Sequence, residues 1–279
     1  MKILFFGDVN GRIARAALRQ AIPEYKKNYQ PNLILANVEN AAHGAGITEK
    51  VYADLCDCEI DFFTSGNHIF DKGSIEAFKE NPARIIRPAN FPPENPGKGF
   101  EVLTIGKTKV AVINLMGQVF TKEEYSDPFI GIDKILDELK IQSPDVIIVD
   151  FHAEATSEKS GFGHYVDGRV SAVVGTHTHV PTADAKVLPK GTAFVTDIGM
   201  VGAKDSVIGI TKESAMKIFI GNKTKELNLP EQGEVQIGAV LIEIDAASGK
   251  SIRISRVDTE IEVWPRQTRF DQVSLGLIE

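Results

Sequence analysis

The clearest sign of chemistry in the sequence is a pair of histidines, His177 and His179. They are separated by one threonine and follow an apolar run at Val170–Val174. Imidazoles two residues apart on an extended chain point to the same face, where they can bind a metal ion. Taken alone, the pair leaves metal binding and a structural role equally open.

Four further segments place carboxylate, amide or imidazole side chains directly after a predicted strand. In chain order these side chains are Asp8, Glu39, Asn40, Asn67, His68 and His152. Each has an ordinary alternative. An Asp after Gly can cap a helix, Glu39-Asn40 can be a solvated loop, Gly-Asn can form a tight turn, and a lone His can be a satisfied core residue. The recurrence of the pattern after five strands favours one shared site.

These segments are predicted to meet, because the carboxyl ends of parallel strands lie along one edge of a sheet, where ligands bind. Oxygen and imidazole donors without thiolate suit Mn, Fe or Zn in an open catalytic site, and do not suit a closed structural zinc site. A carboxylate that bridges two such metals is a known arrangement for displacement at phosphorus. The pattern therefore predicts hydrolysis of a phosphoester.

The elements that must position these side chains alternate between strand and helix, with hairpins later in the chain. Strands are predicted at Ile3–Phe6, Leu33–Val38, Asp61–Thr64, Val146–Phe151, Val170–Val174 and Ala193–Thr196, and helices at Arg12–Tyr25, Thr48–Leu55, Lys72–Lys79 and Ile130–Leu139. Antiparallel strands are predicted around Gly106 and at Val235–Ile244 and Ser251–Val263. Residues 1–279 contain no convincing linker or repeat, so they are predicted to form one layered α/β domain.

The composition argues against several classes of partner. A formal net charge of −7 argues against long nucleic acids, whose binding requires a clustered basic face. No apolar run approaches the ~20 residues needed to cross a membrane, and Ile3–Phe6 is too short for a signal-peptide core. The two cysteines, Cys56 and Cys58, are one residue apart and fit a reducing compartment, which predicts a cytoplasmic protein.

The order of these segments resembles the metallophosphoesterase (calcineurin-like) superfamily, whose segments run Gly-Asp, a second acidic segment, Gly-Asn-His, an isolated His and Gly-x-His-x-His. More narrowly, the chain resembles the bacterial YmdB-like metallophosphoesterases from residue 1 to about 245. This resemblance rests on long strings at positions 37–42, 66–72, 87–90, 150–159, 167–179 and 206–209. One departure is Ala14, where the family generally has Gly.

The resemblance implies a layered α/β/β/α sandwich of two mixed sheets flanked by helices, with two divalent metal ions, Fe or Mn first and Zn second. It implies one metal held by Asp8, Glu39, Asn40 and His179, and another held by Glu39, Asn67, His152 and His177. Glu39 would bridge the two metals, and His68 would donate a proton to the leaving group. Asp150 and Glu154 are expected to orient His152, and Asp71 could either pair with His68 or cap a helix.

The activity implied is hydrolysis of a small phosphodiester, a cyclic nucleotide, with 2′,3′-cyclic substrates first and 3′,5′-cyclic substrates second. A hydroxide between the metals would attack phosphorus, and His68 would protonate the departing ribose oxygen, leaving a 3′-phosphate. Two alternatives stay open: a phosphomonoesterase or protein phosphatase on the same site, and a regulatory nucleotide-binding protein with little turnover. The apolar segment Val273–Ile278 could pack on a second copy and give a homo-oligomer.

Overall fold

The computed structural model describes residues 1–72, 78, 84–121, 124–221 and 227–264. The helices are α1 (Gly11–Tyr29), α2 (Glu49–Cys56), α3 (Pro128–Gln142), α4 (Thr156–Tyr165) and α5 (Lys212–Phe219). The strands are β1 (Lys2–Phe6), β2 (Asp8–Val9), β3 (Leu33–Asn37), β4 (Phe62–Thr64), β5 (Phe100–Ile105), β6 (Thr108–Met116), β7 (Val146–His152), β8 (Ala172–Thr176), β9 (Lys186–Val187), β10 (Ala193–Val195), β11 (Met200–Ala203), β12 (Gly233–Ile237), β13 (Ala239–Asp245), β14 (Lys250–Arg256) and β15 (Thr259–Val263). The predicted segment Val273–Ile278 and most of Lys72–Lys79 lie outside the described residues.

Two mixed sheets contain most of the strands. The first has the order β14-β13-β1-β3-β4, in which β1, β3 and β4 are parallel. The second has the order β5-β6-β7-β8-β10-β9, in which β6, β7, β8 and β10 are parallel. Helices α1 and α2 connect the parallel strands of the first sheet, and α3 and α4 connect those of the second, as parallel pairing requires.

The apolar side chains of the parallel strands explain why the sheets stack. One face of the first sheet, with Phe5, packs against Ile148 of the second sheet in a fully buried cluster. The opposite face of the first sheet, with Phe6, packs under α1 and α2, and the opposite face of the second, with Phe151, packs under α3 and α4. Strands that are buried on both faces are typical of sheets covered on each side. The predicted α/β/β/α layering is confirmed.

The structure contains a third, smaller sheet in addition to the two sheets that were predicted. Strands β1 and β13 pair with each other as far as Phe6 and Ala239. Beyond that point β2 and β12, their neighbours in the sequence, separate, and β11 lies between them and pairs with both. The order of the small sheet is therefore β15-β12-β11-β2. The continuous strand predicted over Val235–Ile244 is therefore interrupted at Gly238, where any side chain would collide with the carbonyl oxygen of Ile198. The small sheet extends the first one and packs under α1.

Several local predictions agree with the structure. Thr48 caps α2 by accepting a hydrogen bond from Val51 N, and β5 and β6 form the hairpin predicted around Gly106. Helix α1 runs four residues beyond its predicted end and contains Pro23.

No helix among the described residues has the length and apolar character needed to cross a membrane.

Candidate metal centre

The eight predicted site residues lie at or just beyond the carboxyl ends of parallel strands. The first sheet contributes Asp8, Glu39, Asn40, Asn67 and His68, and the second contributes His152, His177 and His179. Contacts between the two groups show that these edges converge on one cleft. The strand-end rule therefore predicted correctly that these side chains would lie together.

Glu39, His152 and His177 form the tightest cluster in the cleft. Glu39 Oε1 lies 3.2 Å from His152 Nε2, and that nitrogen lies 3.1 Å from His177 Nδ1. One ligand atom from each residue lies within 4.8 Å of the other two. A side chain at Gly66 would collide with Glu39 and His152, so a glycine is needed where β4 leads into the site. Three donors at this spacing can hold one small cation.

Several buried side-chain oxygen atoms in or beside the predicted site residues accept no hydrogen bond from another described residue. They are Asp8 Oδ1, Asn40 Oδ1, Asn67 Oδ1 and Asn10 Oδ1. The Asn40 amide is oriented by its nitrogen, which donates to Gly44 O at 3.0 Å, so its oxygen is left as a free acceptor. Buried unpaired oxygens are costly unless something satisfies them, and divalent cations bind such oxygens. The donor set therefore fits metal ions.

His179 is oriented by the backbone of a neighbouring turn. Its Nδ1 lies 2.8 Å from the carbonyl oxygen of Ile208, so Nδ1 carries the proton and Nε2 is left to act as a ligand. His177 and His179 both have positive φ, of 102° and 65°. The predicted picture of both rings on one face of a strand is therefore wrong, because the two residues lie in a loop beyond β8.

The electrostatics of the cleft favour positive charge between its side chains. Burial raises the pKa of Asp8 to about 6 and lowers the pKa of His177 to about 3. Burial would raise the pKa of Glu39 and lower that of His152, but their ion pair outweighs it, so the two pKa values are about 2 and about 9. His152 thus holds a proton beside two carboxylates, and a divalent cation would compete with that proton.

His68 lies at the mouth of the cleft. Its side chain is 41% exposed, and its Nδ1 lies 2.8 Å from Asp71 Oδ2. Of the two roles predicted for Asp71, the structure shows the pairing with His68. The His68 backbone N–H donates to Glu39 Oε2 at 3.0 Å, which ties the position of the imidazole to the buried cluster.

The residues expected to orient His152 act differently from the prediction. Glu154 contacts His177 instead, with 3.0 Å between Glu154 Oε2 and His177 Nε2, because the chain turns away at the end of β7. Asp150 acts through Thr176, whose Oγ1 donates to Asp150 Oδ1 at 2.7 Å and lies 2.8 Å from His152 Nδ1. The interior of the sandwich thus supports His152 indirectly.

A buried ion pair that sequence reasoning missed supports the His177–His179 loop. Lys159 Nζ donates to Asp197 Oδ2 and to the carbonyl oxygen of Thr176, both at 2.7 Å. Asp197 Oδ2 also accepts hydrogen bonds from the backbone and hydroxyl of Thr178 at 3.0 and 2.8 Å. Both charged side chains are almost fully buried. A single Lys on a helix ordinarily indicates a surface position, so the sequence carried no signal for this role.

Comparison with known protein families finds a match over most of the chain. The family model described as "YmdB-like protein" matches residues 4–257, a range that includes every predicted site residue. A 2′,3′-cyclic-nucleotide 2′-phosphodiesterase from Bacillus subtilis (strain 168) is 44% identical over 257 residues, which cover 92% of this chain and 96% of that protein.

Two solved structures are similar over nearly the full chain. A hypothetical protein from Thermus thermophilus has a TM-score of 0.86 and 37% identity, covering 93% of this chain and 99% of that one. A structure described as a novel phosphatase from Mycoplasma pneumoniae has a TM-score of 0.85 and 35% identity, covering 99% and 98%.

Proposed function

The chain belongs to the YmdB-like family, and on that premise we propose that it is a metal-dependent phosphodiesterase that hydrolyses small cyclic nucleotides. The 2′,3′-cyclic nucleotides are the first choice, because they are the substrates in the name of the Bacillus subtilis relative, and 3′,5′-cyclic nucleotides are the second. The observation that carries the proposal is the Glu39–His152–His177 cluster, together with Asp8, Asn40 and Asn67, each of which has a buried oxygen that accepts no hydrogen bond from a described residue.

Two divalent metals, Fe or Mn first and Zn second, suit this donor set. Asp8, Asn40 and His179 would hold one, Asn67, His152 and His177 the other, and Glu39 would bridge them. When bound, the metals would supply Lewis-acid activation of water and neutralise charge on the phosphoryl oxygens. Asn40 is held for this role by its bond to Gly44 O, and His179 by its bond to Ile208 O.

His68 is proposed to be the general acid. Its position at the mouth of the cleft, with Nδ1 on Asp71 and Nε2 directed away from that contact, lets Nε2 reach a leaving group without contacting the buried ligands. Asp71 would stabilise the protonated imidazole, and the His68 backbone bond to Glu39 fixes its distance from the cleft. With a 2′,3′-cyclic substrate, His68 would protonate the 2′ oxygen and the product would keep a 3′-phosphate.

The remaining features fit a small substrate in a reducing compartment. Net charge is −7, which disfavours long nucleic acids. The chain has two cysteines, Cys56 and Cys58, only one residue apart, and such sparse cysteine usage supports a cytoplasmic location. The relative named as a phosphatase supports phosphomonoester hydrolysis as the second candidate function on the same site.

The test combines metal analysis with a substrate panel. Full-length protein purified without oxygen is analysed for metals and then given 2′,3′-cyclic and 3′,5′-cyclic nucleotides, mononucleotides and phosphopeptides. The proposal predicts two metals per chain and fastest turnover of 2′,3′-cyclic nucleotides to 3′-phosphates. Faster release of phosphate from mononucleotides or phosphopeptides would favour the phosphatase, and tight nucleotide binding without product would indicate a regulatory binding protein.

A further inference from the structure

A cavity of about 380 Å³ opens beside the metal centre, next to the small third sheet. Its walls include His179, Val180, Met200, Val207, Ile208 and Gln236. Its volume lies within the roughly 300–1,000 Å³ that is typical of small-ligand sites. Because His179 is a predicted metal ligand, a molecule in this cavity would lie directly beside that ligand.

The alternation of side chains along β11 and β12 explains why the cavity is open on this face. Val201 and Val235 belong to the buried cluster under α1, so Met200 and Gln236 point to the opposite face. The loops at 179–181 and 204–208 border that face. The cavity therefore exists because one face of the third sheet packs under α1, while the opposite face lines the cavity.

The turn that carries Ile208 fixes one wall of the cavity. Ile208 has a φ of 46°, which a β-branched residue rarely adopts. Its carbonyl oxygen bonds His179 Nδ1 at 2.8 Å and accepts from Asn10 Nδ2 at 3.3 Å, while its side chain is 51% exposed. Strain of this kind is retained where a turn contacts a ligand. The turn thus holds a metal ligand on one side and an apolar surface on the other.

The chemistry of the walls suits a flat, uncharged ring. Five of the lining side chains are apolar. The side-chain amide of Gln236 makes no hydrogen bond to another described residue, so it offers a donor and an acceptor side by side. Lys204 also borders the cavity, but it is paired with Glu234 at 3.2 Å and with Glu260 at 2.5 Å. With that cation neutralised, the cavity is poorly suited to a phosphate.

We propose that this cavity binds the nucleobase of the substrate, with the ring between the apolar walls and its polar edge on Gln236. The assignment of a nucleotide rests on the proposed function. A glutamine amide can pair with N6 and N7 of adenine through two hydrogen bonds, so adenine compounds are the probes of choice.

The first test observes the cavity without any turnover. Full-length, zinc-loaded protein with ¹³C-labelled methionine methyl groups is titrated with adenosine, which has no phosphate. The Met200 methyl signal is expected to shift and saturate at millimolar concentrations, whereas the signal of Met1, which precedes β1 and does not line the cavity, should not move. An unmoved Met200 signal, or equal shifts at Met1 and Met200, overturns the proposal.

The second test compares Gln236→Met with Gln20→Met, a matched change at an exposed position on α1. Each variant is assayed with adenosine 2′,3′-cyclic phosphate and with base-free ribose 2′,3′-cyclic phosphate. Gln236→Met is expected to lower the ratio of the two kcat/KM values about tenfold through KM, and Gln20→Met should leave the ratio as in the wild type. A ratio unchanged by Gln236→Met overturns the proposal.

The two failures are distinguishable. If the wild type cleaves neither cyclic phosphate, the proposed function is wrong, and the Met200 signal alone decides whether the cavity binds a nucleobase. If the wild type cleaves both substrates with equal kcat/KM, hydrolysis stands and the nucleobase site is wrong.

Discussion

His152 and His179 lie in the same cleft but are held by different kinds of structure. His152 ends β7, is fully buried, and rests on Thr176, which bonds Asp150 in the interior. His179 lies in a loop with positive φ and is held by the carbonyl oxygen of Ile208. Strand pairing and interior hydrogen bonds fix the first imidazole, whereas the second depends on two adjoining loops.

We call the His152–Glu39 contact the strand side of the site and the His179–Ile208 contact the loop side. Loops open at lower free energy than paired strands. Changes on the loop side should therefore weaken one metal position, while changes at Glu39 should remove both, because Glu39 would bridge them. Variants on each side can test this division.

The largest effect is expected from Glu39→Gln, which removes the carboxylate paired with His152 while keeping its size. Turnover of a 2′,3′-cyclic nucleotide should fall about a thousandfold, and metal analysis should show loss from both positions. Glu138→Gln, at an exposed position on α3, is the matched control. Two metals retained in Glu39→Gln would show that Glu39 is not the bridge.

His68→Ala should leave metal binding unchanged on both the strand side and the loop side. The imidazole is partly exposed, and among the described residues it pairs only with Asp71. We expect kcat to fall roughly 10²- to 10⁴-fold, the range for loss of a general acid, with both metals retained. His164→Ala, at an exposed position on α4, controls for removal of a histidine. Wild-type turnover in His68→Ala would exclude its role as the acid.

Lys159→Met should weaken the loop side more than the strand side, because Glu39 and His152 would also hold the strand-side metal whereas His179 depends on the loop. It removes the cation that holds Asp197 under Thr178, between the two ligand histidines. Affinity for the loop-side metal should fall about 10- to 100-fold, as for other residues that orient ligands, while the strand-side metal remains. Two-site metal titration by calorimetry measures this, with Lys134→Met on α3 as the surface control. Equal weakening of both sites would contradict the division.

The smallest effect is expected from Asp54→Asn, at an ion pair outside the site. Burial would raise the pKa of Asp54, but bonds from Arg15 and Arg19 outweigh it and lower the pKa. A lowered folded-state pKa stabilises the protein above the unfolded-state pKa, and this stabilisation is lost as pH falls through the folded value. At neutral pH the variant should lose at most about 1 kcal/mol in urea unfolding, and the difference should vanish in acid. An unchanged difference at low pH would exclude this ion pair as its source.

The fold and the convergence of the candidate site residues could be predicted because both follow from short-range patterns. The apolar runs predict the strands, and Asp8, Glu39 and His152 are the polar residues at the ends of those strands. Parallel strands bring those ends together. The layering followed from the resemblance to a family.

What could not be predicted depends on contacts between distant segments. The third sheet forms where β11 lies against Gly238, which leaves no room for a side chain. A single glycine in a predicted strand does not indicate which distant segment will pack against it. Lys159 is buried only because Asp197 comes to it from elsewhere in the chain. Glu154 contacts His177 rather than His152 because of the turn after β7, which spacing does not determine.

The most direct test of the account is a crystal structure of the metal-loaded protein with anomalous data at the Fe and Mn edges. We expect two peaks about 3.5–4 Å apart, with Glu39 contacting both, His152 and His177 on one, and Asp8 and His179 on the other. A single peak, or a second peak that His179 does not contact, would contradict it.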